Sequence, residues 1–187
     1  MRIISGQLKG KKLIHINNNT TRPLRDMVKE SIFNIINHSN FINIEIKDSL
    51  ILDLYSGTGS FGIECLSRGA AKVIFVENNK LALEILKKNI KNASIIDKVE
   101  IKSKSAELYI NQHKGDVKYD LFFFDPPFAD QKYKDILKKI KELKLYKKEH
   151  LLVFHREQDD IEELKKIIKI IEIKIYGRSK VFFAVFN

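Results

Sequence analysis

A chain of 187 residues with 44% hydrophobic content holds enough material for one domain with a full core and a small appendage. Its single Cys65 excludes an internal disulfide and fits a reducing compartment, and no run reaches the apolar length of a membrane span or forms a signal peptide after Met1, so a soluble cytoplasmic protein is expected. The formal charge of +10 points to a polyanionic partner, but only six of the 34 basic residues are Arg, and a codon bias that inflates Lys accounts for the excess equally well.

Position is more telling than the sum. Before Asp26 stand Arg2, Lys9, Lys11, Lys12, Arg22 and Arg25 with no acid, which makes this segment the candidate nucleic-acid surface. Arg2–Leu8 reads as a short strand, Gly10 as a turn and Lys12–Ile16 as a return strand. The expected division is a basic hairpin extension over 1–20 and one domain over 21–187. After the polar stretch Asn17–Thr21, apolar residues recur at helical spacing from Leu24 through Val28, Ile32, Ile35 and Ile36 to about Asn37.

Strand and helix signals then alternate. Strands are expected at Leu50–Leu54, Lys72–Val76, Lys98–Lys102, Tyr119–Phe124, His150–Phe154, Ile170–Tyr176 and Val181–Phe186. Helices are expected at Phe61–Arg68, Lys80–Asn92, Ser105–Gln112, Tyr133–Leu143 and Asp160–Ile168. This rhythm predicts an α/β, Rossmann-like, seven-stranded sheet, mostly parallel, with helices on both faces. The turn Gly177-Arg178-Ser179 leaves no room for a helix, so the last strand is expected to run antiparallel.

The first of these strands enters Tyr55-Ser56-Gly57-Thr58-Gly59-Ser60-Phe61-Gly62, a strand, glycine loop and helix start suited to a nucleotide. Gly57, Gly59 and Gly62 satisfy the dinucleotide fingerprint, a weak match by itself. Asp53 argues against a dinucleotide, because a carboxylate beside the loop would repel a pyrophosphate. It suits S-adenosylmethionine, whose sulfonium and ammonium are positive; unit charges ~4 Å apart interact by ~4 kcal/mol at an effective dielectric of about 20. Glu77 ends the second strand, where a carboxylate accepts from ribose hydroxyls, and Asn78 follows it. Ser105-Ala106 sits where an adenine edge is expected, although Ser105 reads equally as a plain helix N-cap. The cofactor set is thus Asp53, Ser56, Gly57, Gly59, Glu77, Asn78, Ser105 and Ala106.

The fourth strand, Leu121-Phe122-Phe123-Phe124, runs into Asp125-Pro126-Pro127-Phe128, which holds two of the three prolines in the chain. Paired prolines end the strand in a rigid turn and push Asp125 toward an extended backbone. An exocyclic amine on a nucleobase is a poor nucleophile. An Asp125 side chain and a Pro126 carbonyl that each accept one N–H would turn its lone pair toward a methyl donor, so that catalysis is largely positioning. Phe128 would stack on the base, for ~1–3 kcal/mol, or else pack into the core. The catalytic set is Asp125, Pro126, Pro127 and Phe128. No metal site is expected, since the five His are scattered and Cys65 has no partner.

Asp53-x-x-x-Gly57-x-Gly59 together with Asp125-Pro126-Pro127-Phe128 resembles the amino-group methyltransferases of nucleic acids. Arg2-Ile3-Ile4-Ser5-Gly6-Gln7, Gly10-Lys11-Lys12-Leu13, Arg22-Pro23, Phe33-Asn34 and Leu66-Ser67-Arg68-Gly69-Ala70 are similar to the bacterial small-subunit ribosomal RNA guanine-N2 methyltransferases, the RsmD family. The resemblance spans essentially the whole chain. It implies methyl transfer from S-adenosylmethionine to N2 of a guanine in small-subunit (16S) ribosomal RNA, in a subunit or assembly intermediate, by a monomer. Arg22 would reach either the cofactor carboxylate or the RNA. Two departures stand out: Leu24 where the family often has Thr, and Phe154-His155-Arg156 where it often has an acid. His155 is then either a functional substitute or an ordinary strand-end histidine.

Three other readings stay open. A DNA adenine-N6 methyltransferase uses the same Asp-Pro-Pro chemistry, but usually carries a target-recognition insertion that these short connections leave no room for. A non-catalytic RNA-binding assembly protein would have little reason to keep both Asp125 and Asp53. A nicotinamide oxidoreductase is disfavoured by Asp53.

Overall fold

The computed structural model describes residues 1–16, 24, 26–127, 130, 132–156 and 161–187, with the backbone alone at 161. Its elements in chain order are α1 (Asp26–His38), β1 (Leu50–Leu54), α2 (Ser60–Ser67), β2 (Lys72–Glu77) and α3 (Lys80–Ala93). A 3₁₀ turn at Ile96–Lys98 leads to β3 (Val99–Ser103), α4 (Ala106–Asn111), β4 (Tyr119–Phe124) and α5 (Tyr133–Glu142). The chain closes with β5 (Tyr146–Arg156), α6 (Ile161–Lys165), β6 (Ile168–Tyr176) and β7 (Ser179–Phe186).

The seven strands form one sheet in the order β3-β2-β1-β4-β5-β7-β6. β3, β2, β1, β4 and β5 pair in parallel, and β7 slots antiparallel between β5 and β6, as the short Gly177 turn requires. Side-chain alternation splits the core in two. Ile51, Phe123, Val153 and Phe183 pack under α1–α3, while Leu52, Phe122, Phe124, Leu152 and Phe182 pack under α4–α6. The near-continuous apolar run of β4 follows from burial on both faces. Strand order reverses between β1 and β4, which opens a crevice at their carboxyl ends.

Most elements fall within two residues of the ranges expected from the sequence, and three larger differences stand out. β5 begins at Tyr146 rather than His150, because Tyr119 pairs with Tyr146 ahead of a register shift, and the polar Lys147–Glu149 segment is carried along. α6 ends at Lys165 and β6 starts at Ile168, because Ile168 pairs with Phe186 instead of extending the helix. The two arms of the N-terminal segment pair antiparallel through the Arg2–Lys12 bridge, with Ile3 N donating to Lys11 O at 3.0 Å, Gly10 N to Ile3 O at 2.9 Å and Leu13 N to Met1 O at 3.2 Å, but do not extend into full strands. Other amides go to α2: Ile4 and Ser5 donate to the Glu64 carboxylate at 2.7 and 2.9 Å, and Leu8 donates to Ser67 Oγ at 3.0 Å. Ile3 and Leu13 lie in the α1–α3 core. The expected loop at 17–21, Arg22, Pro23, Arg25, Phe128 and Asp160 fall outside the described residues. Among the described residues no helix is long and apolar enough to cross a membrane.

Candidate active site

β1 places Asp53 between Phe75 of β2 and Phe123 of β4, so its carboxylate is 1% exposed in an apolar setting. Oδ2 accepts from the Gly62 amide at 3.0 Å. The first turn of α2 needs this acceptor, because its N-cap is Gly59, which has no side chain to offer. Oδ1 is buried without a hydrogen-bond partner among the described residues, and so is Ser56 Oγ. Burial pushes the Asp53 carboxyl well above its ordinary range; the Gly62 amide opposes this, and the anions Asp125 and Glu77 add to it.

The glycines do different jobs. Gly57 has φ +56° and open space where a Cβ would stand, toward the cavity. Gly59 has φ +85°, and a Cβ there would lie 2.4 Å from Leu86 Cδ1; it shapes the loop but does not line the cavity. Tyr55 has φ 62°, a strained conformation of the kind that gathers at functional sites. Burial, then the adjacent Asp130 carboxylate, raises the Tyr55 hydroxyl pKa above its ordinary value.

Glu77 is preorganised by backbone amides. Gly57 donates to Oε2 at 2.7 Å, and Asn78 and Asn79 donate to Oε1 at 2.8 Å each. Asp53, Ser56, Gly57, Glu77, Asn78, Asp125, Pro126 and Pro127 line one cavity of about 520 Å³. Ser105 and Ala106 line an adjoining cavity of about 360 Å³ that shares Tyr55, Glu77, Asn78 and Pro127 with the first. Ser105 also caps α4, accepting from Leu108 N at 3.1 Å, as its N-cap reading expects.

Asp125 leaves β4 level with the end of β1, since Leu54 pairs with Phe124. His155 Nδ1 lies 2.9 Å from its Oδ1. The buried Arg156 donates to the Pro127 carbonyl at 3.0 Å and lies over the Tyr133 ring, which anchors the proline turn to β5 and α5. Arg2, Lys9, Lys11 and Lys12 are exposed on the N-terminal segment, while Met1, His15 and Ile16 of the same segment line the cavity.

Residues 1–185 match the family described as conserved hypothetical protein 95. The chain is 33% identical over 160 residues to YlbH of Bacillus subtilis, covering 85% of this chain and 84% of that protein. It is 33% identical over 156 residues to the Ribosomal RNA small subunit methyltransferase D of Buchnera aphidicola, covering 83% and 78%. The chain belongs to the RsmD family. The fold agrees: yhhF of Escherichia coli superposes with a TM-score of 0.85 at 23% identity, over 100% of this chain and 98% of that one.

Within this RsmD-family chain, three contributors lie outside the sequence reading. Lys29 and Glu64 are buried charges on α1 and α2. Asn89 of α3 pins the N-terminal segment to the glycine loop: Oδ1 accepts from Ile14 N at 2.8 Å, and Nδ2 donates to the Ile14 and Thr58 carbonyls at 2.9 and 3.0 Å. His155, for which the sequence leaves open a functional substitute or an ordinary strand-end residue, meets Asp125. A charge or amide at an apolar helical position was the one available signal for the first three.

Proposed function

We propose that this chain transfers the methyl group of S-adenosylmethionine to the exocyclic N2 amine of a guanine in small-subunit ribosomal RNA. The observation that carries this reading is the meeting of Asp53, the Gly57 loop, Glu77 and Asp125 in one cavity at the reversal point of the sheet. The Buchnera relative is named as a small-subunit ribosomal RNA methyltransferase.

The site fits the cofactor. An unsatisfied carboxylate oxygen on Asp53 calls for a cationic or hydrogen-bond-donating partner, and the Glu77 carboxylate stands ready at the second strand end. Asp53, Ser56, Gly57, Glu77 and Asn78 would hold it, with Ser105 and Ala106 beside its base. Bound there, S-adenosylmethionine supplies an electrophilic methyl on a sulfonium leaving group. The chain supplies position: Asp125 and the Pro126 carbonyl each accept one N–H of the amine and aim its lone pair, and Asp125 takes the proton that the methylated amine releases. Phe128 would stack the base; Arg2, Lys9, Lys11, Lys12, Arg22 and Arg25 would engage phosphates. Ribosomal particles as substrate, a monomeric state and a cytoplasmic location belong to this proposal.

From β1 onward the longest connection between elements runs 125–132, too short to carry a target-recognition insertion, which favours this reading over a DNA methyltransferase. Incubation with isotopically labelled cofactor, small subunits from cells lacking this protein, and duplex DNA decides between them. The expected label is N2-methylguanosine in the subunit RNA; label in DNA alone would overturn the proposal.

The Asp53→Asn variant separates cofactor binding from stability. Cofactor affinity should fall roughly 10- to 100-fold, as loss of a ~1.5–3 kcal/mol charge-assisted hydrogen bond predicts. The cofactor-free fold should become more stable at neutral pH. The folded carboxyl keeps its proton to higher pH than the unfolded one, ordinarily 3.8, so wild-type stability declines as pH rises above that value. Asparagine removes the decline. Calorimetric titration and thermal unfolding from pH 4 to 8 check both arms, and unchanged affinity would exclude Asp53 from the cofactor site.

A further inference from the structure

Three carboxylates meet at the carboxyl edge of the sheet, and two are oriented by backbone amides. Asp53 receives Gly62 N–H; Glu77 receives those of Gly57, Asn78 and Asn79. The two residues that follow Asp125 give no such help. An Asp side chain commonly accepts from the amide two residues on, but Pro126 and Pro127 carry no N–H. The torsion that turns a carboxylate is broad and weakly restrained. The prolines that make the turn rigid therefore take away the donors nearest in the chain.

β5 supplies the donor. Phe124 pairs with Phe154 across β4 and β5, so Asp125, the first residue after β4, stands beside His155 of β5. His155 Nδ1 stands 2.9 Å from Asp125 Oδ1. The His155 side chain is 7% exposed, and its backbone is held opposite Val181 of β7, whereas Asp125 is 23% exposed and opens into the cavity.

We propose that His155 is a positioning residue for methyl transfer. Its Nδ1–H donates to Asp125 Oδ1 and fixes the carboxylate plane, so that Oδ2 is presented to the substrate amine. This rests on the reading of Asp125 as the amine acceptor. An imidazole N–H on a carboxylate is a charge-assisted bond, and a misplacement of about 1 Å at a reacting group costs on the order of 100-fold in rate.

The test compares His155→Phe, which keeps a ring but no N–H, with His155→Asn, whose amide nitrogen occupies the place of Nδ1. Turnover in His155→Phe should fall roughly 10- to 100-fold with cofactor Kd nearly unchanged, and His155→Asn should recover most of it. In an Asp125→Ala background, His155→Phe should cost nothing more. In the unsubstituted protein, imidazole ¹⁵N shifts should report a protonated, hydrogen-bonded Nδ1. Wild-type turnover in His155→Phe, failure of His155→Asn to recover, or a bare Nδ1 would each overturn the inference. Full turnover in Asp125→Ala would instead sink the reading of the site itself, whereas an inactive Asp125→Ala beside a fully active His155→Phe sinks this inference alone.

Discussion

Replacing Asp125 with alanine is expected to lower methyl transfer by about 10²- to 10⁴-fold, the range for loss of a positioned proton acceptor. In the proposed mechanism the carboxylate has two tasks: it holds one N–H of an amine whose lone pair is otherwise delocalised, and it receives the proton as positive charge develops on nitrogen. Asp125→Asn keeps an acceptor but not the charge, and should fall between the wild type and Asp125→Ala. Cofactor affinity should not weaken in either variant. The Asp125 anion raises the Asp53 carboxyl, so its removal makes Asp53 easier to ionise. Single-turnover rates beside equilibrium cofactor titration check this. A parallel loss of affinity and rate would place Asp125 in cofactor binding rather than in the transfer step.

The largest expected effect on stability is at Glu64, which does not itself line the cavity. Lys29 and Glu64 are both fully buried with Nζ–Oε2 at 3.4 Å, and Arg68 Nε donates to Oε1 at 2.9 Å while its guanidinium lies over Phe33. Burial lowers the Lys29 pKa, and the Glu64 charge opposes that shift. Glu64→Ala leaves an uncompensated buried cation and should cost about 3–5 kcal/mol. A Lys29→Met, Glu64→Leu double variant removes both charges, a change that is often neutral for a simple pair. Here it should recover only part, because the Ile4 and Ser5 amides lose their acceptor at about 1–3 kcal/mol each where they stay buried. Urea unfolding gives the totals, and faster hydrogen exchange at Ile4 and Ser5 would show the N-terminal segment coming loose. Since Met1, His15 and Ile16 of that segment line the cavity, cofactor affinity should drop with it. Full recovery of stability in the double variant would mean that the segment does not depend on Glu64.

Local signals carried much of the architecture. The alternation of apolar strands with amphipathic helices was readable because burial on both sheet faces leaves near-continuous apolar runs such as Leu121–Phe124, and α5 shows its stripe of Tyr133, Ile136, Leu137 and Ile140 directly. The N-terminal arms pair antiparallel as the sequence suggests, but over a shorter length than full strands. Lys12–Ile16 alternates like a strand, yet Ile14 pairs with the Asn89 side chain of α3, while Ile4 and Ser5 of the first arm donate to Glu64 of α2, and side-chain acceptors leave no repeat in the sequence. The end of α6 was missed because Ile167 and Ile168 suit a helix or a strand equally, and pairing with Phe186 decides between them.

By itself the sequence determined the fold class, the glycine loop with Asp53 and the Asp125 turn, because each depends on residues within a few positions of one another: an acid before glycines, prolines after an acid. Tertiary structure alone decided how Asp125 is held, since His155 lies 30 residues away and arrives through strand register. It also decided that Glu64 and Asn89 bind the N-terminal segment, across 60 and 75 residues. Backbone conformation answers to neighbours in the chain, whereas a buried polar group answers to whichever donor the packing brings within 3 Å, and no local pattern encodes that choice.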